Sequence, residues 1–533
     1  LSMLLIIWTL VVVVAVTLYL KQTYSVFSKY GVKQLTPVPL LGNMARITLK
    51  QEHLAEHFER LYKAFPNERF VGRFEFMKPM VVIRDIELIK KIAVKDFEHF
   101  IDHRTIINDE VDPLFGRNLF SLKGQEWKDM RSTLSPAFTS SKIKLMVPFM
   151  VEVGEQMIKA LKKKVANTGV GYLDVECKDL TTRYANDVVA SCAFGLKIDS
   201  MMDEENQFYV RGREASTLSF GQVLMVFGFS PFPKVMKALG INLFSKITQN
   251  FFRDLVLGTM NEREVRHIIR PDMINILMEA KKGNLTHEDK SSNDMDAGFA
   301  TVEESNVGKK TVNRVWSDDD LVAQALLFFL AGFDTVSAAM SFLLHEVAVN
   351  PEVQEKLYQE IKENELKNGG KFDYNSIQKL EYLDMVVSEL LRLWPPVSAL
   401  DRICVKDYNL GKPNDKAERD FILRKGTFVA FPAWALHRDP ELFPDPLKFD
   451  PERFSEENKH NIQPFAYMPF GLGPRNCIGS RFALCEVKIM AYQLLQHMEL
   501  SPCEKTCIPG RLSRDNFNPR MHGGHWIRMR VRE

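Results

Sequence analysis

Cysteine is scarce in this chain: seven residues in 533, at positions 177, 192, 404, 477, 485, 503 and 507. The number is odd and the spacing lacks the paired signature of a zinc module, which excludes a disulfide-stapled scaffold and fits a reduced, cytosol-facing body. Cys503 and Cys507 lie close together, but two cysteines without further ligands do not make a site. An excess of charge is also missing, with Lys+Arg 70 against Asp+Glu 68 and a formal net charge of +2. That balance gives no reason to expect nucleic acid as a partner. No internal repeat is present, which removes solenoids and propellers. No glycine-rich nucleotide fingerprint or flavin motif is evident.

What is present is apolar. Hydrophobic residues make up 45% of the chain and 37 are phenylalanine, enough for a substantial core and compatible with one large domain. Met3 to Leu20 contains no charge and, as a helix, spans roughly 27 Å, just enough to cross hydrocarbon. Lys21, Lys29 and Lys33 follow with no acid among them, so the positive-inside bias places the body on the cytosolic side. A removed signal peptide is the alternative reading. Pro37-Val38-Pro39-Leu40-Leu41-Gly42-Asn43 supplies a stiff connector. The expected organisation is therefore a membrane anchor over 1–20, a basic and proline-rich linker over 21–43, and one body over 44–533.

Within the body, Glu52 to Lys63 has helical periodicity, and Phe70 to Phe74 and Met80 to Ile83 read as short strands. Trp127 and Arg131 fall at i and i+4 on one helical face, where both could reach one ligand or form a surface stacking pair. Leu218 to Phe244, with Phe227-Gly228-Phe229-Ser230-Pro231-Phe232-Pro233 at its centre, is too apolar for a solvent loop; a buried connection is one reading and a lid another. Gly283 to Trp316 is polar with charges of both signs, as in a flexible surface loop. Its sequon Asn284-Leu285-Thr286 should stay unmodified on a cytosolic body.

Ser317-Asp318-Asp319-Asp320 is a helix start, and the helix can run to Val349, where Asn350-Pro351 stops it, a length of about 48 Å. Its centre is apolar all round, which predicts burial. Ala331-Gly332-Phe333-Asp334-Thr335 then interrupts it: small residues permit close approach, and Thr335 can bond back to a carbonyl and open the ladder. Glu389 and Arg392 pair at i and i+3 in the apolar helix Met385 to Trp394, either as a minor surface pair or as part of a buried cluster.

Phe470-Gly471-Leu472-Gly473-Pro474-Arg475-Asn476-Cys477-Ile478-Gly479 sets one cysteine among three glycines beside a cation, directly before a helical stretch. Such a turn suits either a buried structural cysteine or a metal-bound thiolate favoured by the helix N-terminus. Phe470-x-x-Gly473-x-Arg475-x-Cys477-x-Gly479 resembles in full the haem-ligand signature of the cytochromes P-450, and the Ala331 to Thr335, Trp127/Arg131 and Glu389/Arg392 elements resemble further motifs of that family in identity and order. The resemblance covers essentially the whole chain. Its finer texture, including Ser501 to Cys507 and Gly523-Gly524-His525-Trp526, resembles insect microsomal members of the clan that includes vertebrate drug-metabolising forms.

The resemblance implies a mainly α fold with small β-sheets, preceded by one transmembrane helix. It implies haem b with Cys477 as axial iron ligand, whose thiolate pushes electron density onto the metal. Phe470, Gly471 and Gly479 would lie around the sulfur, Ala331 and Gly332 would admit the haem face, and Trp127, Arg131, Arg402 and Arg475 would contact its propionates. Asp334 and Thr335 would relay protons. Arg453 would complete a structural charge cluster with Glu389 and Arg392, Phe115, Phe120, Phe328, Val397 and Phe517 would line a lipophilic pocket, and His437 to Pro440 would cap the region of Val397 and Arg402. Insertion of one oxygen atom from O2 into lipophilic xenobiotics or endogenous lipids and hormones is implied. Electrons would come from NADPH through a separate cytochrome P-450 reductase, with cytochrome b5 as a further partner, at the endoplasmic reticulum membrane. Lys128, Lys142, Lys144, Arg481 and Lys488 are the candidate reductase-docking cations. The intact Ala-Gly-x-Asp-Thr pattern argues against reductase-independent peroxide rearrangement and against a non-catalytic lipophile carrier.

Overall fold

The computed structural model describes residues 2–104, 107, 109–217, 219–229, 232–240, 242–282, 298–307, 314–369 and 372–532. The chain forms two compact units, Leu1–Arg104 with Ser398–Leu436, and Thr105–Val397 with His437–Glu533.

The first unit begins with the helix Ser2–Tyr24. Its stretch Met3–Tyr24 is long and apolar enough to cross a membrane, with mean hydropathy 2.7 and no burial against the protein. The predicted helix near residue 54 is Leu54–Ala64, opened by a capping box between His53 and Glu56. The two predicted strands form an antiparallel pair, Phe70–Glu75 with Lys78–Ile83, and Lys78–Ile83 runs parallel to Phe428–Phe431, which pairs antiparallel with Leu400–Ile403. Phe58, Leu61, Val71, Met80, Val82 and Ala430 form a buried cluster between this sheet and the Leu54–Ala64 helix. Arg402 lies in the sheet, buried, with its Nη1 donating to the Asp401 carbonyl at 2.7 Å.

The second unit is mostly helical. The helix Ser140–Thr168 packs along the C-terminal helix Ser480–His497, and Cys177–Val189 packs along Ser337–Val349. A three-stranded antiparallel sheet joins Tyr172–Glu176, Trp526–Val531 and Met498–Ser501. The strand Tyr172–Glu176 carries no clear signal in the sequence, because five half-buried residues lack the alternation that marks a one-sided strand.

The apolar run from Ser317 to Val349 is the central element of this unit. Ser317 and Asp320 make a capping box, the α-helix Asp318–Leu330 follows, the turn Ala331–Val336 is π-helical, and α-helix resumes over Ser337–Val349. Most of it is buried in protein, so its hydropathy reflects the core and not a second membrane span. Successive helical residues are rotated by about 100°. Phe329 and Phe333 therefore face one way, into a ring cluster with Phe208 and Phe252 at centroid distances from Phe329 of 5.0 to 5.2 Å. Leu327 and Phe328 are half-buried, and Ala331 and Thr335, one turn apart, are accessible.

The polar stretch expected to be a flexible loop is partly a packed segment. Across residues 298–307, the Phe299 N–H donates to Asp384 Oδ2 at 2.9 Å, Ala300 is buried and Glu304 is ion-paired. Acids that look solvated in sequence find partners here. The sequon Asn284-Leu285-Thr286 lies outside the described residues. The apolar lid candidate is built from two short helices, Phe220–Phe229 and Pro233–Ala238, with Ser230 and Pro231 outside the described residues.

Candidate active site

The Cys477 turn owes its shape to glycine. Gly471 and Gly473 have φ of 81° and 65°, conformations that side chains disfavour, and they fold the chain so that the Cys477 N–H donates to the Phe470 carbonyl at 2.8 Å. Gly479 then ends the turn and the helix Ser480–His497 begins, placing Cys477 beside its N-terminus. The side chain of Cys477 is accessible. Burial nonetheless raises its thiol above the ordinary value, opposed by the Gly479 N–H and by Arg131.

The turn is propped from behind. Met468 donates its N–H to His437 Nε2 at 3.0 Å, and the Met468 carbonyl accepts from the Gly471 N–H at 3.1 Å. Burial, then the neighbouring Arg392 and Arg438, depress His437 to about 3, so the ring is neutral and Nε2 is free to accept. Arg392 donates to the carbonyls of His437 and Pro446 at 2.7 and 2.8 Å and makes a bidentate pair with Glu389, both bonds 2.7 Å. Arg453 approaches Glu389 at 3.5 Å. The three charges of the expected cluster are thus together, and His437 connects them to the cysteine turn.

The Trp127 and Arg131 pair is divided. Both are buried in the helix Gly124–Leu134. Arg131 forks onto Glu304, with Nη2 to Oε2 at 2.6 Å, and donates to the Asn476 backbone and side-chain oxygens at 2.7 and 2.8 Å. Trp127 is instead covered by Arg475, whose guanidinium carbon is 4.0 Å from the ring centroid. Arg475 also donates to the Leu122 carbonyl at 2.8 Å. Within the protein, then, a bidentate carboxylate meets Arg131 and a cation stacks on the indole of Trp127.

On the central helix, Thr335 Oγ1 donates to the Ala331 carbonyl at 2.5 Å within the π-helical turn. Ala331 and Gly332 have separate uses. Ala331 is on the accessible face, whereas a Cβ at Gly332 would sit 2.8 Å from Val189 Cγ2, so this glycine serves close packing against Cys177–Val189. Asp334 points to a third side. Its carboxylate is held by Lys178 Nζ at 3.4 Å, by Asn518 Nδ2 at 2.8 Å and by the Arg520 guanidinium. Burial alone would raise the Asp334 carboxyl, but Lys178 and Arg520 outweigh it and hold the group below its usual value. Burial and Arg520 lower Lys178 to about 8. Lys178, Asn518 and Arg520 have no signal in the sequence, since only the fold brings them to residue 334.

The C-terminal helix packs against the π-helical turn, and Phe138 connects the two motifs: its ring is 5.2 Å from that of Phe328 and would be 3.7 Å from a Cβ on Gly479. The expected pocket residues fall in several places. Phe115 joins a cluster with Ile107, Val111, Val226 and Met236, Phe517 stacks on Phe220 at 4.8 Å, Phe120 is half-buried and Val397 is 46% exposed. Among the docking cations, Lys142 and Lys144 are exposed and Lys128 and Arg481 half-buried. Lys488 is not on the surface: it is buried on the packed face of its helix, with Nζ 2.9 Å from Asp384.

An open thiol at a helix N-terminus, a glycine turn that permits close approach, an accessible helix face of Ala331 and Thr335, and buried cations nearby fit a flat anionic cofactor with a metal centre. Among the described residues no cluster of three His, Cys, Asp or Glu could hold a metal on its own. A single thiolate ligand is consistent with a metal carried by its own macrocycle.

Comparison with known proteins supports the same reading. The cytochrome P-450 family profile matches residues 32–518. Cytochrome P-450 9e2 of Blattella germanica is 45% identical over 518 residues, covering 95% of this chain and 94% of the relative. Probable cytochrome P-450 9f2 of Drosophila melanogaster is 41% identical over 511 residues, 94% of each chain, and probable cytochrome P-450 6a13 of the same species is 39% identical over 523 residues, 98% of each. With relatives aligned along almost their whole length and a thiol turn of this form, the chain belongs to the cytochrome P-450 family, as an insect-type haem-thiolate monooxygenase.

Proposed function

We propose that this chain inserts one atom of O2 into lipophilic small molecules, either xenobiotics such as plant toxins and insecticides or endogenous lipids and hormones. The observation that carries the reading is the π-helical turn Ala331–Val336, with Thr335 on an accessible face and Asp334 held beside it, packed against the helix that follows Cys477. Met3–Tyr24 would anchor it in the endoplasmic reticulum membrane with the body in the cytosol. Electrons would come from NADPH through a separate reductase, with cytochrome b5 as a second donor, delivered near the exposed Lys142 and Lys144.

In this reading Cys477 supplies the axial thiolate, while Phe470 and Gly479 shape its surroundings. Trp127, Arg131 and Arg475 would stabilise the acidic edge of the cofactor. Bound haem supplies the activation of O2 and the oxygen transfer itself. The residues of the chain do the rest. Thr335 Oγ1 holds a proton that it can pass on, because its bond to the Ala331 carbonyl fixes the hydroxyl at the opened turn. Asp334, ionised in its cationic surroundings, accepts a proton from solvent and hands it toward Thr335. Apolar side chains such as Phe328 exclude water from the same face.

The test is reconstitution of the full chain with a microsomal reductase and NADPH, followed by a screen of 7-alkoxycoumarins and other lipophiles under isotopically labelled O2. One labelled oxygen per product is the expected result, and NADPH-independent conversion, or no product with any lipophile, refutes the reading. Thr335→Ala is expected to retain haem and consume NADPH but to release peroxide in place of most product, a fall in coupling of about tenfold or more. Unchanged product per NADPH would remove Thr335 from the relay.

A further inference from the structure

The loop that precedes the last strand touches both the lid helix and the acid of the central helix. Its base is pinched: Leu512 bridges Met521, the Ser513 N–H donates to the Arg520 carbonyl at 2.8 Å, and the His522 N–H donates to the Arg511 carbonyl at 2.8 Å. At its tip Phe517 stacks on Phe220 with a centroid distance of 4.8 Å and lies 6.0 Å from Phe227, both on the helix Phe220–Phe229. The next residues return to the central helix. Asn518 Nδ2 donates to Asp334 Oδ2 at 2.8 Å, and the Arg520 guanidinium holds Oδ1. Arg520 is also braced by its Nη1 bond to the Pro519 carbonyl at 3.0 Å.

We infer that Asn518 and Arg520 are positioning residues for Asp334, and that Phe517 makes their grip depend on the placement of the lid helix. The inference rests on the reading of Asp334 as the relay acid and adds to it a control on when that acid is available. Two residues, Asn518 and Pro519, separate the ring on the lid from the guanidinium on the carboxylate, and the closed base keeps the loop from absorbing a displacement at its tip. Movement of Phe220 and Phe227 when a lipophile enters would therefore shift Asn518 and Arg520 relative to Asp334.

The fixed side of the acid's environment is Lys178. Its Nζ also donates to Thr182 Oγ1 at 3.0 Å and to Ser337 Oγ, on two helices packed against each other. With Lys178 anchored by the core and Arg520 carried by the loop, loosening the loop leaves Asp334 with one cation in place of two. Its carboxylate is then freer to turn toward Thr335, one residue further along the opened turn.

The experiment compares Arg520→Met, Arg520→Lys, Asn518→Ala, Phe517→Ala and Asp334→Asn in the full chain reconstituted with reductase. Variants are first matched for haem content. The readouts are peroxide released per NADPH consumed, with and without 7-ethoxycoumarin, the solvent deuterium isotope effect on NADPH consumption, and hydrogen exchange of the amides over 512–521. Arg520→Met and Asn518→Ala should change peroxide release about threefold to tenfold, as expected within one hydrogen-bonded network, and Arg520→Lys should restore most of the parent value. Phe517→Ala should abolish the difference made by 7-ethoxycoumarin. None of these should alter peroxide release further in an Asp334→Asn background, and Asp334→Asn should accelerate exchange over 512–521, because coupling is reciprocal.

Asp334→Asn impaired but Arg520→Met and Asn518→Ala unchanged in peroxide release and isotope effect would overturn the positioning role while leaving the relay intact. Equal effects of Arg520→Met in both backgrounds would also overturn it, as a general structural effect. Asp334→Asn without effect on peroxide release would refute the relay itself. Exchange over 512–521 that no variant moves would refute the connection to the lid.

Discussion

Cys477→Ala is expected to abolish the strongly red-shifted absorbance band that the reduced, carbon monoxide-bound protein should give, together with all NADPH-dependent product. The thiol is accessible, its N–H is fixed to the Phe470 carbonyl, and the helix Ser480–His497 begins just beyond it. Alanine keeps the backbone bond from the Cys477 N–H to the Phe470 carbonyl, loses the sulfur that accepts from the Gly479 N–H, and removes the ligand. The loss should therefore be spectral and catalytic, with far-ultraviolet circular dichroism unchanged. Cys477→Ser separates ligation from shape: the hydroxyl is a poorer donor to iron and should shift the band away from the thiolate position without restoring it. A parent protein that takes up no haem, or a band that survives loss of Cys477, would sink the central assignment and each role built upon it.

The largest effect on stability is expected from Arg392→Met. Glu389 and Arg392 have no side-chain exposure, and removing one partner leaves a buried carboxylate whose compensation falls to Arg453, 3.5 Å away. Breaking a buried pair from one side costs about 3–5 kcal/mol. The substitution also strips donors from the carbonyls of His437 and Pro446. Through His437 and Met468 that loss reaches the Gly471 turn, so haem should dissociate at lower urea than is needed to unfold the helices. Glu389→Met combined with Arg392→Met should cost less than the sum of the two single changes, because no uncompensated charge remains. Urea titrations followed in parallel by the haem band and by circular dichroism check both points; coincident transitions in Arg392→Met would discard the link between cluster and turn.

Motifs confined to a few consecutive residues are legible in the sequence. The capped start at Ser317, the opened turn at Ala331 to Thr335, the glycine turn around Cys477 and the paired strands near residues 70 and 83 all rest on local backbone preference, and each takes the predicted form. The partners of the charged groups are a different matter. Arg131 meets Glu304 across 173 positions and Asp334 meets Arg520 across 186. Nothing in a stretch of polar residues such as 298–307 signals that one of its acids will be buried against a particular guanidinium. Lys488 departs from expectation for the same reason: a lysine in a helix reads as solvated until its helix is packed.

The sequence by itself determined the chemistry, because a thiolate turn and a helix that must open need specific residue types at fixed short spacings. It likewise determined that one N-terminal segment is long and apolar enough to span a membrane. The tertiary structure alone decided which face of the central helix is accessible, that Gly332 serves packing against Val189, and that the acid beside Thr335 is gripped by Lys178, Asn518 and Arg520. The reason is physical: backbone preference acts over neighbouring residues, whereas burial, charge pairing and close packing depend on distances that are set only when remote parts of the chain come together.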